Sequence, residues 1–154
     1  MTPAFGCVVL TAGRRPDDLR AAVESLQRQA GVETDVVVVA NGCEPAVPDG
    51  VRVVALAFDE GIPAGRNAGV PHVRGELLFF LDDDAAIAAP DALVRVADRL
   101  AADPRLALVQ LAPQARDGGP RSHRAEAEGV GTGDLCGDGA VTMSGPADRR
   151  SSLP

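Results

Sequence analysis

The sequence predicts an α/β domain: a mostly parallel sheet with helices on both faces. Three observations predict it. Short continuous apolar runs recur, most clearly at 36–39 and 77–81, and strands covered on both faces need such runs. Between the runs lie segments with apolar residues at helical spacing. The two kinds of segment alternate along the chain, as βαβ units require.

Residues 6–10 read as a short buried strand. Pro16 then opens a helix to about residue 29. Leu19, Ala22, Val23 and Leu26 fall at i, i+3, i+4 and i+7 on one face. Pro16 suits the first turn, Asp17 and Asp18 complement the positive end of the helix dipole, and Gly31 suits the stop. Residues 36–39, four valines, form a second strand that Asn41-Gly42 breaks. A third strand covers 51–56, a short helix runs from 62 to about 70 and closes near Pro71, and 77–81 is the fourth strand. Residues 91–102 make a helix with Leu93, Val96, Ala97 and Leu100 inward, and 106–111 reads as a fifth strand.

The chain has 154 residues, enough for one domain with a real core. Its net charge of -7 argues against a general nucleic-acid or anionic-membrane surface. All 15 basic residues are Arg, and Lys, Tyr and Trp are absent. The three cysteines, Cys7, Cys43 and Cys136, are widely spaced and odd in number, so no metal spacing or disulfide framework emerges. A reducing cytosol is expected, with peripheral membrane association left open. No run approaches the ~20 apolar residues of a bilayer span, and Arg14 and Arg15 follow the first apolar run, the wrong order for a signal peptide.

Composition shifts after Ala112. Nearly half of the 17 Gly lie beyond it, aromatic residues are absent there, and Leu, Ile, Val and Phe are scarce. Such a segment buries little against the entropy of ordering. The expected organisation is a domain over 1–112 and a poorly structured, largely disordered tail over 113–154. A native tail, a displaced reading frame and a truncation all remain open.

Chemistry concentrates in the loops that follow the strands, where open α/β sheets bind ligands. Thr11-Ala-Gly-Arg-Arg-Pro16 offers a hydroxyl, two guanidinium groups and a helix N-terminus, either an anion cradle or an ordinary turn. Asn41 presents both a donor and an acceptor, suited to a nucleobase edge, although Asn-Gly is also a common turn. Gly61, Gly65 and Gly69 recur every four residues, letting a backbone or a ligand approach closely, and Arg66 and Asn67 lie between them. Asp82-Asp83-Asp84 follows the fourth strand directly. Like charges about 4 Å apart repel by roughly 1 kcal/mol in water and about 4 kcal/mol near a protein surface, so a divalent cation with oxygen ligands is the expected compensation. The alternative is a solvated acidic turn. If the strand continues, Asp82 and Asp84 share a side and Asp83 faces elsewhere, toward a ribose hydroxyl. His72 and His123 lack partners at useful spacing, and Glu126 and Glu128 sit in the featureless tail.

Four strings together resemble family 2 glycosyltransferases of the GT-A fold: Val8-Val-Leu-Thr-Ala-Gly-Arg-Arg-Pro16, Val37-Val-Val-Ala-Asn-Gly42, Glu60-Gly-Ile-Pro-Ala-Gly-Arg-Asn-Ala-Gly69 and Phe80-Leu-Asp-Asp-Asp84. The resemblance covers about residues 5–111. It implies a metal-dependent transfer of sugar from a nucleotide-diphosphate donor, with Mn2+ or Mg2+. It also implies a donor lined by Thr11, Ala12, Arg14, Asn41, Gly65, Arg66, Asp82 and Asp83, with Asn41 at the base. Asp82 and Asp84 match the ends of the family's Asp-x-Asp motif and would hold the metal, Asp84 most strongly. Ala40 stands where the family often has an acidic residue, and Gly13 where it often has Asn. The catalytic carboxylate of the family's acceptor half has no match after Leu111, so the chain resembles the donor-binding part. The acceptor, whether glycan, lipid or small molecule, is open. A sugar-phosphate nucleotidyltransferase and a degenerate, non-catalytic nucleotide-binding protein are the competing readings.

Overall fold

The computed structural model describes residues 1–115 and 142–145, with side chains through residue 112. Four parallel strands form the main sheet: β1 (Ala4–Thr11), β2 (Glu33–Asn41), β3 (Arg52–Leu56) and β4 (Leu77–Asp82), in the order β3-β2-β1-β4. Three helices connect or follow them: α1 (Pro16–Gln27), α2 (Gly61–Gly69), extended by a 3-10 turn at Val70–His72, and α3 (Ala92–Ala102). Among the described residues no helix is long and apolar enough to cross a membrane.

The helices cover both faces, as expected. On one face Phe5, Cys7, Val9, Val38 and Leu81 pack with Leu19, Val23 and Leu26 of α1 and Leu93 and Val96 of α3. On the other, Val8, Leu10, Val37 and Val39 pack with Ala68 of α2. Alternation along a strand makes this division: neighbouring residues of β1 point to opposite faces, so a continuous apolar run serves both layers. The spaced glycines of α2 lie against the sheet. A Cβ on Gly65 would stand 2.5 Å from Leu10 Cδ1, and one on Gly69 would stand 2.5 Å from Val8 Cγ1. Their missing side chains let the helix seat closely on the strands.

Register sets the site. Leu10 pairs with Asp82, Thr11 with Ala40, and Asn41 with Leu56. The carboxyl ends of all four strands therefore finish nearly level, and their loops open on one edge of the domain.

Several elements differ from expectation. The fifth strand expected at 106–111 does not form. Val109 and Leu111 pack against the core while Leu108 stays 68% exposed, and among the described residues this segment joins no ladder. Apolar alternation describes a packed extended segment as well as a strand; only a backbone partner separates them. Beyond it lie β6 (Ala112–Ala115), which spans the expected boundary at residue 112, and β7 (Thr142–Gly145). The two are parallel, and β7 pairs antiparallel with β5 (Ala86–Ile87). The remainder of the expected tail lies outside the described residues. β5 is too short to have a sequence period. It is held to α1 by the Ile87 N–H, which donates to the buried Ser25 hydroxyl at 3.0 Å.

Candidate functional site

Asp82 ends β4, and Asp83 and Asp84 lie in the turn that follows, closed by the Ala85 N–H donating to the Asp82 carbonyl at 3.1 Å. The strand does not continue, so strand alternation does not govern the aspartates. Each carboxylate instead meets a partner from a different part of the mouth. Arg66 Nη2 of α2 donates to Asp82 Oδ1 at 2.7 Å. Thr11 Oγ1, at the end of β1, donates to Asp83 Oδ2 at 2.6 Å and accepts the Gly13 N–H at 2.9 Å. Arg15 Nη1, at the start of α1, donates to Asp84 Oδ2 at 2.5 Å. Thr11 is buried, and both ion pairs are open to solvent.

Three carboxylates thus share two paired guanidinium groups and one hydroxyl. Arg14, exposed in the same loop, adds a third cation at the mouth. Arg66 Nε is buried and, among the described residues, lacks a hydrogen-bond acceptor, which leaves a donor to be satisfied at this end of the sheet. Ala12 is exposed beside it, while Gly65 faces Leu10 and the sheet.

The β2 and β3 loops interlock beside this cluster. Asn41 is buried. Its Nδ2 donates to Asp59 Oδ1 at 2.6 Å, and its Oδ1 accepts the Glu60 N–H at 2.9 Å. Asp59 Oδ1 also accepts the Gly61 N–H at 2.9 Å. Gly42, at φ 69°, packs on the Phe58–Asp59 peptide so closely that a Cβ would stand 2.6 Å from Asp59 N. Cys43 Sγ donates to the Thr11 carbonyl at 3.6 Å and links this loop to the first. Burial pushes the Cys43 thiol up, the backbone hydrogen bond from Asn41 opposes this, and the Asp83 charge adds to the rise, so the thiol stays protonated at neutral pH.

The mouth brings together Thr11, Arg66, Asp82, Asp83 and Asp84, with Arg14 and Ala12 at its rim and Asn41 one loop away. Phe58, Asp59 and Cys43 belong to it as well, although sequence reasoning gave them no role, and so does Arg15, expected only as one of the two guanidinium groups of an anion cradle. Arg15 stood in view as half of an Arg-Arg pair. Asp59 carried a signal in its place two residues before the helix-opening Gly61. His72 is exposed and contributes its carbonyl to Arg52 at 2.7 Å, far from the mouth; His123, Glu126 and Glu128 lie outside the described residues.

The family described as Glycosyl transferase family 2 matches residues 7–135, beyond the 5–111 seen by inspection. The succinoglycan biosynthesis protein ExoO of Rhizobium meliloti (strain 1021) is 35% identical over 130 residues, covering 78% of this chain and 37% of ExoO. The chain therefore spans little more than a third of the length of that curated relative. Among solved structures, the mannosyltransferase PcManGT from Pyrobaculum calidifontis, in complex with GDP-Man and Mn2+, aligns at TM-score 0.61 with 21% identity, over 74% of this chain and 36% of that one. S. aureus TarS aligns at TM-score 0.59 with 20% identity, over 78% and 23%. At such identities the structural likenesses speak for the fold.

Proposed function

The chain belongs to glycosyl transferase family 2, and from that premise we propose that its mouth binds a nucleotide-diphosphate sugar for transfer to an acceptor hydroxyl. The observation that carries this reading is the partition of Asp82, Asp83 and Asp84 among Arg66, Thr11 and Arg15. It is a charged site held ready by three separate elements.

Charge explains why a cation belongs in it. The carboxylates and arginines of the mouth already balance closely, so a diphosphate brings excess negative charge. The available donors are carboxylate oxygens, which suit Mn2+ or Mg2+. Among the described residues no three His, Cys, Asp or Glu side chains converge as a metal cluster. By their match to the ends of the family's Asp-x-Asp motif, Asp82 and Asp84 would supply the protein ligands and the substrate phosphates the rest, a common arrangement for Mg2+. Bound there, the cation would neutralise charge on the departing diphosphate.

The chain's own residues do the positioning. Thr11 holds Asp83 at the end of β1. Arg15 and Arg66 pair with the outer carboxylates and can turn toward phosphate oxygens. The Arg66 Nε–H, without an acceptor among the described residues, offers a donor to the same group. PcManGT in complex with GDP-Man and Mn2+ and TarS in complex with UDP-GlcNAc lend this reading support by analogy.

Calorimetric titration of UDP-, GDP- and dTDP-sugars, with and without Mn2+, tests it. Binding of at least one donor, strengthened at least tenfold by Mn2+, is expected. Absence of metal-dependent binding to all of them would overturn the reading.

A further inference from the structure

We propose that Phe58 and Asp59, in the loop after β3, form the nucleobase subsite, and that this subsite selects guanine. The inference rests on the nucleotide-sugar reading above and sharpens it to a substrate class.

Asn41 is poorly placed to read a base. It is only 7% exposed, and its amide is engaged on both sides by Asp59 and the Glu60 N–H. Asn41 is a positioning residue that clamps the next loop. What the clamp presents is Asp59, exposed at the surface of the mouth. Its Oδ1 is occupied by Asn41 and by the Gly61 N–H, and among the described residues Oδ2 has no hydrogen-bond partner. Next to it Phe58 is 74% exposed. An aromatic ring held in water beside a fixed carboxylate provides a stacking surface and a hydrogen-bond acceptor together. Gly42 packs on the peptide between them, so the pair is rigidly seated.

Its place suits a base. In the strand order β3-β2-β1-β4 the subsite lies two to three strand spacings from Asp82, about 10–14 Å. A ribose and its phosphates bridge such a gap.

A carboxylate only accepts hydrogen bonds. Guanine offers adjacent N1–H and N2–H donors, which the two lone pairs of Asp59 Oδ2 can take. Uracil and thymine offer a single N3–H flanked by two carbonyl oxygens that a carboxylate repels. Adenine and cytosine set an acceptor nitrogen beside their amino group. Guanine is therefore the base matched to this edge.

The test is calorimetric titration of the full chain with GDP, IDP, UDP, dTDP and ADP in Mn2+. GDP is expected to bind at least tenfold more tightly than UDP, dTDP or ADP. IDP, lacking the 2-amino group, falls between. Asp59→Asn keeps an oxygen for Asn41 and for the Gly61 N–H, so the loop survives; it is expected to weaken GDP at least tenfold and UDP less than threefold. Phe58→Ala is expected to weaken every nucleotide by a similar factor. Equal affinity of the unaltered chain for GDP and UDP, or unchanged GDP affinity in Asp59→Asn, overturns the guanine subsite while leaving the nucleotide-sugar reading standing. Failure of all five nucleotides to bind overturns that reading, and this inference with it.

Discussion

Asp84 carries two separable loads, one electrostatic and one proposed to be ligand-binding. Its ion pair with Arg15 is open to solvent, exposed on the Arg15 side and half-buried on the Asp84 side, and surface pairs are worth about 0–1 kcal/mol. Asp84→Asn should therefore change stability by less than about 1 kcal/mol in urea unfolding, yet lower Mn2+-dependent donor affinity at least tenfold. Unaltered affinity would remove Asp84 from the metal site. Thr11 behaves differently, because its hydroxyl is buried and donates to a charged oxygen. Hydrogen bonds to charged groups contribute about 1.5–3 kcal/mol. Thr11→Val is close in shape, so a loss of that size is expected, together with weaker donor binding as Asp83 comes free. A loss below about 0.5 kcal/mol would mean that Thr11 does not anchor Asp83 in solution. The aspartates stood out in the sequence because three carboxylates follow a buried run. Their division among Thr11, Arg15 and Arg66 did not, since these partners are brought together only by strand pairing.

Among the elements, α2 shows how a repeat of small residues acquires its meaning from what it touches. The four-residue spacing of Gly61, Gly65 and Gly69 left open whether a backbone or a ligand comes close. Gly65 and Gly69 are used against β1 and β2. The two positions should respond differently to a methyl group. At Gly65 the clash is with the end of Leu10, which can change rotamer, and Ala gains about 1 kcal/mol of helix propensity over Gly. At Gly69 a Cβ meets both Val8 and Val39, at 2.5 and 2.9 Å, and β-branched side chains on a strand are stiff at χ1. Gly65→Ala is thus expected within about 1 kcal/mol of the parent, and Gly69→Ala to lose about 1–3 kcal/mol by overpacking. Thermal melts of the two variants decide; equal melting temperatures would mean that α2 shifts freely on the sheet. The segment 106–111 teaches the converse. Its pattern is apolar and extended, but membership of a sheet depends on a partner strand that the segment itself does not encode.

For the molecule as a whole, an absence in the composition has a thermodynamic consequence. With no Lys and no Tyr, the groups that usually titrate between about pH 9 and 12 are missing, and the cysteines are left. Burial, with a smaller contribution from the Asp35 charge, pushes the Cys7 thiol up to about 12. The folded pKa is raised, so the stabilisation is fully present below the unfolded value near 9 and is lost as pH climbs toward about 12. Stability measured by urea unfolding should fall with pH across that window, by up to about 4 kcal/mol at its limit. Cys7→Ala should flatten most of that slope, whatever its offset from the lost packing. An unchanged slope would assign the alkaline loss elsewhere. The sequence by itself determined the four strands of the main sheet, the three helices and the acidic end of β4. Those features follow from periodicity and turn chemistry within a few residues. Tertiary structure alone decided that Asn41 clamps Asp59, that Gly65 and Gly69 face the sheet, and that Arg15 reaches Asp84 across 69 positions. Such contacts depend on the order and register of parallel strands, and residues far apart in the chain carry no local mark of which neighbour they will meet.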